Sequence, residues 1–235
     1  MGMLAMYRRI NWRSWLELYR RELPSPLVVL NLIDYRDREP YRWYGVFVLP
    51  AIYAVGGAVQ WAGEWRESLI GERQGEALLL VRYPSQRRFL LMVTNPYYAA
   101  INRFREKADA WFEASFTRAS GDPEQLRRQR QLLIVHCDDE HQAQQAEGLL
   151  SAAGAERVYA VREAATLGMF KEYEPSDPHP LRKKHALFFA PGALGAALPE
   201  PLRRALEQIP GLSLQLYHRQ KRREALPRPL ARLVR

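Results

Sequence analysis

Two pairs of aliphatic segments, spaced almost equally along the chain, constrain the fold most. Residues 131–138 (QLLIVHCD) align with residues 27–34 (LVVLNLID) at an offset of 104, and residues 185–192 (HALFFAPG) align with residues 78–85 (LLLVRYPS) at an offset of 107. Each segment has the length and the aliphatic content of a buried strand. The second half of the chain is therefore predicted to repeat the element order of the first half.

Turn and capping signals between these segments predict the order βαββαβ in each half. The first predicted helix ends at Gly56-Gly57, a typical glycine C-cap, and Ser85 can cap the second helix. The predicted strands cover residues 26–35, 58–65, 77–84, 111–119, 131–138, 157–162, 185–192 and 212–218. The predicted helices cover 41–55, 85–92, 97–107, 140–153 and 202–209, and Asn95-Pro96 interrupts the second of them before it resumes at Tyr97. This order predicts an α+β fold of two tandem ferredoxin-like βαββαβ units, packed sheet against sheet.

Three further boundaries follow from the termini and the linker. Residues 3–22 carry apolar side chains at roughly helical spacing, which predicts an extra N-terminal helix before the first unit. The predicted domains are 1–119, with that helix and the first unit, and 126–220, with a divergent second unit. Residues 221–235 are predicted to form a basic tail, and residues 219–235 are predicted to be poorly packed or to lie along the surface.

The composition limits the classes of protein to which this chain can belong. The single cysteine, Cys137, excludes an intramolecular disulfide and a cysteine-rich metal site, which points to a reducing compartment. No signal peptide and no run of eighteen apolar residues is present, so a cytoplasmic protein is expected. The arginine-rich, lysine-poor composition is typical of a bacterial genome of high GC content. Residues 217–235 contain 7 basic residues and 1 acidic residue, which accounts for most of the net charge of +9.

The first half resembles the domain-of-unknown-function 1330 family, which is related to the EthD-like group of dimeric α/β-barrel proteins. The features that carry the resemblance are VVLNLIDY (28–35), Gly56-Gly57, RYPSQRRFLLMV (82–93), NPYY (95–98) and Arg103. The resemblance implies a sheet that pairs face to face with a second such sheet, here supplied by the second half, so that one chain forms an intrachain dimeric α/β-barrel. It also implies an apolar cavity, which members of this superfamily use for cofactor-independent oxygenation, isomerisation, haem degradation or plain ligand binding.

Three residues are the predicted catalytic set. Asn31 interrupts an aliphatic strand, and a buried amide must be hydrogen-bonded to the backbone, to water or to a ligand. Arg82 ends a core strand and could hold a carboxylate or phenolate, or could pair with Glu64 or Asp34 instead. The hydroxyl of Tyr44 could serve as a weak acid.

Four residues are predicted to bind the ligand. Trp61, Tyr98 and Arg103 lie on elements expected to surround the cavity, although aromatic stripes more often belong to a core. His136 ends a strand beside Cys137 and could belong to a metal site with nearby acidic residues, but its spacing matches no metal motif. No metal or other cofactor is therefore predicted.

Two functions of different classes remain open. The first is a small-molecule enzyme that acts on a hydrophobic or aromatic substrate, as a cofactor-independent oxygenase or an isomerase-like enzyme. The second is a non-catalytic ligand-binding or interaction module whose basic tail contacts anionic partners. The expected partners are a small hydrophobic molecule and a second copy of the chain. Nucleic acid is not expected, because the predicted strands are too aliphatic to stack bases, and contact with a membrane surface is the less favoured use of the N-terminal helix.

Overall fold

The described part of this computed structural model comprises residues 12–20, 23, 25–73, 75–166, 183–194 and 198–233. These residues form eight strands, nine helices and one 3₁₀ turn. The strands are β1 Leu27–Tyr35, β2 Ala58–Ile70, β3 Ala77–Tyr83, β4 Asp109–Gly121, β5 Gln131–Cys137, β6 Glu156–Thr166, β7 Lys183–Ala190 and β8 Ser213–Arg219. The helices are α1 Trp12–Arg20, α2 Arg38–Ala54, α3 Gln86–Val93, α4 Pro96–Ala108, α5 Pro123–Arg128, α6 Glu140–Ala152, α7 Glu200–Glu207, α8 Arg222–Ala225 and α9 Arg228–Ala231, and the 3₁₀ turn is Gly192–Leu194.

The strands close into a single antiparallel barrel in the order β1-β3-β2-β8-β5-β7-β6-β4. The mixture of helices with an antiparallel sheet agrees with the predicted α+β class. The inner faces of the two halves contribute side chains to one interior cluster, and the halves also join through strand edges. One seam pairs β2 with β8 and the other pairs β4 with β6, and hydrogen-bonded seams leave no sheet edge exposed.

Alternate residues along each strand face the barrel interior or the outer layer of helices. Along β1, Val28, Leu30 and Leu32 belong to the interior cluster, whereas Leu27 and Val29 belong to the cluster under the helices. The interior is filled by side chains from both halves, as is usual for an eight-stranded barrel. Its largest fully buried members are Trp61, Phe188 and Tyr217, all at most 1% exposed.

Local capping explains where most of the helices begin. Asp37, Ser85, Asn95, Asp122 and Asp139 each accept a hydrogen bond from a backbone N–H in the first turn of α2, α3, α4, α5 and α6, respectively. Helix α2 begins at residue 38 rather than at the predicted residue 41, because Asp37 caps it. The linker contains a helix, α5, that the sequence did not predict, and β2 and β6 extend beyond their predicted ends.

The termini differ partly from their predictions. The described part of the N-terminal segment is helical, as predicted, while residues 1–11 and 167–182 lie outside the described residues. The C-terminal tail lies on the surface but contains two short helices, α8 and α9. Pro227 is buried, and the backbone N–H of Arg228 donates to Glu39 Oε1 at 2.9 Å, so this part of the tail contacts α2.

Candidate functional site

The outer face of the first half carries a layer of aromatic side chains beneath α2 and α4. Tyr35, Tyr41, Tyr44 and Tyr98 follow one another, with ring centroids 5.0, 5.6 and 6.5 Å apart. The hydroxyl oxygens of Tyr44 and Tyr98 lie 3.2 Å apart and are buried. The structure therefore brings together two of the residues that the sequence singled out, one from each helix.

Asn31 lies on the same sheet face, and its amide is directed at its strand neighbours. Its Nδ2 donates to the carbonyl oxygens of Val29, at 3.3 Å, and Leu79, at 3.1 Å. The side chain is half-buried. These contacts satisfy the amide nitrogen through the backbone, which is one of the three kinds of partner that the sequence left open. A role for Asn31 in binding or catalysis stays a prediction.

The other predicted residues lie elsewhere. Arg82 is exposed, and the carboxylates that the sequence offered as its partners bind other arginines: Arg38 contacts Glu64 at 3.3 Å and Arg73 contacts Asp34 at 3.1 Å.

Trp61 is packed in the barrel interior, where its Nε1 donates to the carbonyl of Gln129 at 3.3 Å. His136 pairs with Ser213 on the interior side of the second half and is 5% exposed. Arg103 is exposed, and its guanidinium lies 5.3 Å from the ring centroid of Phe104. The seven predicted residues therefore do not form one site.

A buried ion pair beside the tyrosines was missed by the sequence interpretation. Arg105 Nε lies 3.8 Å from Asp109 Oδ2, and both side chains are at most 4% exposed. The guanidinium of Arg105 also lies over two rings, 4.2 Å from the centroid of Phe112 and 6.0 Å from that of Tyr44. A cation in contact with aromatic faces is stabilised by their negative potential even when little water reaches it.

Burial changes the protonation of this cluster. Desolvation raises the pKa of the Asp109 carboxyl from 3.8 to about 7, although the nearby charge of Arg105 lowers it. Desolvation likewise raises the pKa of Tyr41 and Tyr44 well above the ordinary value of a phenol. At neutral pH the site therefore combines a carboxyl group that can gain or lose a proton with hydroxyls that stay protonated.

Several polar atoms in the cluster have spare hydrogen-bonding capacity. Both carboxyl oxygens of Asp109 and the Oδ1 of Asn102 are buried without a hydrogen-bond partner among the described residues. The Nδ2 of Asn102 donates to Glu106 Oε1 at 2.9 Å, so only one side of that amide is occupied. Buried polar groups in proteins are almost always paired, and exceptions are associated with sites for water, a proton or a ligand.

The sequence does contain a signal for this cluster. Tyr98, Asn102, Arg105 and Asp109 are spaced by four, three and four residues, which places them along one face of α4 and the residue that follows it. Except for Tyr98, these residues are polar, and charged or amide side chains are usually read as a solvated face. Only the packing of α2 on α4 shows that this face is buried.

The described residues contain neither a metal-binding cluster nor a membrane-spanning helix. Within the described ranges, no group of three or more His, Cys, Asp or Glu side chains is arranged to hold a metal ion. None of the helices in the part of the chain that the structure describes is long and apolar enough to cross a membrane.

Comparison with known proteins gives similarities to solved structures only. No protein-family model matches the sequence, and no curated protein matches it closely. A protein of unknown function from Rhodopseudomonas palustris is 23% identical, with a TM-score of 0.42, over 44% of this chain and 89% of that chain.

Two longer alignments cover most of the chain. An anthrone oxidase-like protein is 10% identical, with a TM-score of 0.48, over 84% of this chain and 92% of that chain. A protein from Fusobacterium nucleatum, named provisionally as a monooxygenase, is 10% identical, with a TM-score of 0.47, over 85% of this chain and 94% of that chain.

Proposed function

We propose that this protein is a small-molecule enzyme whose site lies beneath α2 and α4, on the outer face of the first half of the barrel. The observation that carries the proposal is the environment of Asp109. Its carboxyl is buried, has a pKa of about 7, lies beside Arg105 and has no hydrogen-bond partner among the described residues. General bases work best when their pKa lies near the operating pH.

The surroundings of Asp109 indicate the class of substrate. Tyr41, Tyr44 and Phe112 contribute aromatic surface around the ion pair, and such surface favours a hydrophobic or aromatic ligand. Arg105 supplies a positive charge for an anion formed from that ligand, and the paired hydroxyls of Tyr44 and Tyr98 supply polar contacts. A phenol, a quinol or an aromatic ketone would match this combination.

The reaction follows from what these groups can do. Ionised Asp109 takes a proton from a hydroxyl or from a carbon next to a carbonyl group, and Arg105 stabilises the resulting anion. Returning the proton to a different atom completes an isomerisation. Passing the electrons of the anion to dioxygen, as the oxidant, starts an oxygenation without a cofactor. Deprotonation is the step that both reactions share.

The shared step can be tested without knowing the product. The protein is incubated in D₂O with a panel of naphthols, anthrones and aromatic ketones, and deuterium incorporation is followed by NMR together with oxygen uptake. We expect exchange above the rate in buffer for part of the panel. Because a positioned general base contributes about 10²–10⁴-fold, Asp109→Asn should lose at least about 100-fold of the exchange rate. The wild-type rate should rise with pH through about 7 as Asp109 ionises.

Matched controls separate this site from the residues that lie elsewhere. Arg82→Ala removes an exposed arginine on a different part of the barrel and should leave the exchange rate unchanged. An Asp109→Asn variant as active as wild type would contradict the proposal, as would an equal loss in Arg82→Ala. Binding of panel members without exchange or oxygen uptake would assign the protein to the non-catalytic binding class instead.

We also infer that the two halves are divergent copies of one ferredoxin-like unit. The support is the repeated element order and the matching strand orders, β4-β1-β3-β2 in the first half and β8-β5-β7-β6 in the second. One chain then supplies both units of an arrangement that single-unit relatives would build from two subunits. The EthD-like resemblance of the first half agrees with a site in that half.

A further inference from the structure

We propose that the groove where β2 meets β8 is a second site, which binds a small molecule carrying several phosphate groups. The groove has a volume of about 630 Å³, within the range of roughly 300–1,000 Å³ that is usual for small-molecule sites. It is built from both halves of the barrel, because β2 belongs to the first half, β8 to the second, and Arg130 to the segment that joins them.

The charge of the lining favours an anion. Four basic side chains, Arg66, Arg130, Arg219 and Lys221, face two acidic ones, Glu64 and Glu224. Glu64 is already engaged by Arg38 at 3.3 Å and by Gln220 Nε2 at 3.3 Å. The positive charges therefore exceed the negative charges that remain for them.

Two of the arginines have guanidinium groups that nothing in the described residues occupies. Arg66 and Arg130 are exposed, and neither makes an ion pair or a side-chain hydrogen bond within the described part of the chain. Surface arginines are often paired with acidic neighbours on the same surface, as Arg38, Arg73 and Arg204 are here. Planar guanidinium groups bind phosphate oxygens bidentately.

Hydrogen bonds hold the side chains on the floor of the groove in place. His218 lies between Glu64 of β2 and Gln131 of β5 in the strand register. The ring Nε2 of His218 and the Nε2 of Gln131 are 3.2 Å apart and hydrogen-bonded. The Arg219 guanidinium is held by the carbonyl of Arg127. Cations around a fixed floor lose less conformational freedom when a ligand binds.

The test uses calorimetric titration of the full chain with tripolyphosphate and with ATP, and with citrate as an anion that lacks phosphate. We expect both phosphate compounds to bind, at least about ten-fold tighter than citrate, with an affinity that falls as salt is added, because exposed charges are screened. The double variant Arg66→Ala/Arg130→Ala should bind tripolyphosphate at least about ten-fold more weakly.

Two comparison variants distinguish binding by Arg66 and Arg130 from a general effect of charge. Arg87→Ala/Arg88→Ala removes two positive charges from α3 and should leave the affinity within about two-fold, because screening limits charge effects over distance. Glu224→Gln removes a negative charge from the groove and should tighten binding. Equal binding of citrate and tripolyphosphate would overturn the phosphate assignment. Equal losses of affinity in the two double variants would overturn the assignment of the groove, because they would show that only the net charge of the protein matters.

A single-stranded oligonucleotide is the last probe. The small-molecule assignment predicts that a dodecamer binds no tighter than tripolyphosphate. If it binds more than ten-fold tighter, and this binding depends on Arg66 and Arg130, the ligand is nucleic acid and the proposal is wrong. The rate at which the aromatic panel compounds exchange deuterium through Asp109 should be unchanged in Arg66→Ala/Arg130→Ala. The two proposed sites can therefore be refuted independently.

Discussion

The helices of the two halves cover the same barrel with different chemistry. In the first half, α2 and α4 pack rings against the sheet and enclose the ion pair of Arg105 and Asp109. In the second half, α6 and α7 contribute small and aliphatic side chains, among them Ala143, Ala146 and Leu206, none of which is exposed.

The charges of the second half stay nearer to water. Arg157 and Arg162 both contact Glu147, at 2.6 and 3.0 Å, and these three side chains are between 24% and 33% exposed. Such a network stabilises a surface but is only partly desolvated. A repeated element order therefore does not repeat the chemistry of a site. What distinguishes the first half is that the charges of Arg105 and Asp109 are removed from water, which is the condition that shifts a carboxyl pKa towards neutrality.

The largest effect expected from this comparison is on the apolar layer of the second half. Leu206→Ala in α7 removes a fully buried side chain and should lower the free energy of unfolding by roughly 2–5 kcal/mol in urea titrations. Leu91→Ala, at a position 56% exposed in α3, should change it by less than about 0.5 kcal/mol. A small loss in Leu206→Ala would mean that this layer is not a sealed core.

A smaller effect is expected in the pH dependence of stability. The folded-state pKa of Asp109, about 7, lies above its unfolded value of 3.8. The protonated carboxyl therefore favours the folded state, and this contribution is fully present below about pH 4 and lost as pH rises through 7. Between pH 4 and 8, wild type should lose on the order of 3 kcal/mol more stability than Asp109→Asn.

Urea unfolding of both proteins at several pH values measures that difference. The other titrating groups are common to both proteins, so the difference isolates residue 109. Parallel pH profiles for wild type and variant would show that Asp109 is no more desolvated in the first half than the charges of the second half are. The distinction between the halves would then fail.

The smallest effect should come from the ion-pair network of the second half. Glu147→Gln removes the charge that Arg157 and Arg162 share, and partly exposed pairs contribute roughly 0.2–1 kcal/mol each. Thermal unfolding in low and high salt should show a modest loss that salt reduces. A loss above about 2 kcal/mol that salt does not reduce would place these charges in the same buried class as Arg105 and Asp109.

Much of the element order could be predicted from sequence, because it depends on local patterns. Aliphatic runs such as residues 27–34 and 131–138 predicted β1 and β5, and Gly56, with φ of +76°, ends α2 where the glycine pair predicted. The way the halves join was not predictable from such patterns. Edge pairing of β2 with β8 and of β4 with β6 depends on which strands lie at the free edges of both units, and that is a property of the assembled sheet.

The candidate site divides in the same way. The sequence by itself determined that Tyr44 and Tyr98 lie on helices of the first half, and it supplied the spacing of Asn102, Arg105 and Asp109. It drew attention to Asn31 and Arg82 because they interrupt or end aliphatic strands, although the structure places one against backbone carbonyls and leaves the other exposed. Only the tertiary structure decided that Asp109 is desolvated, since burial depends on the packing of α2 across α4, and desolvation is the largest cause of its raised pKa.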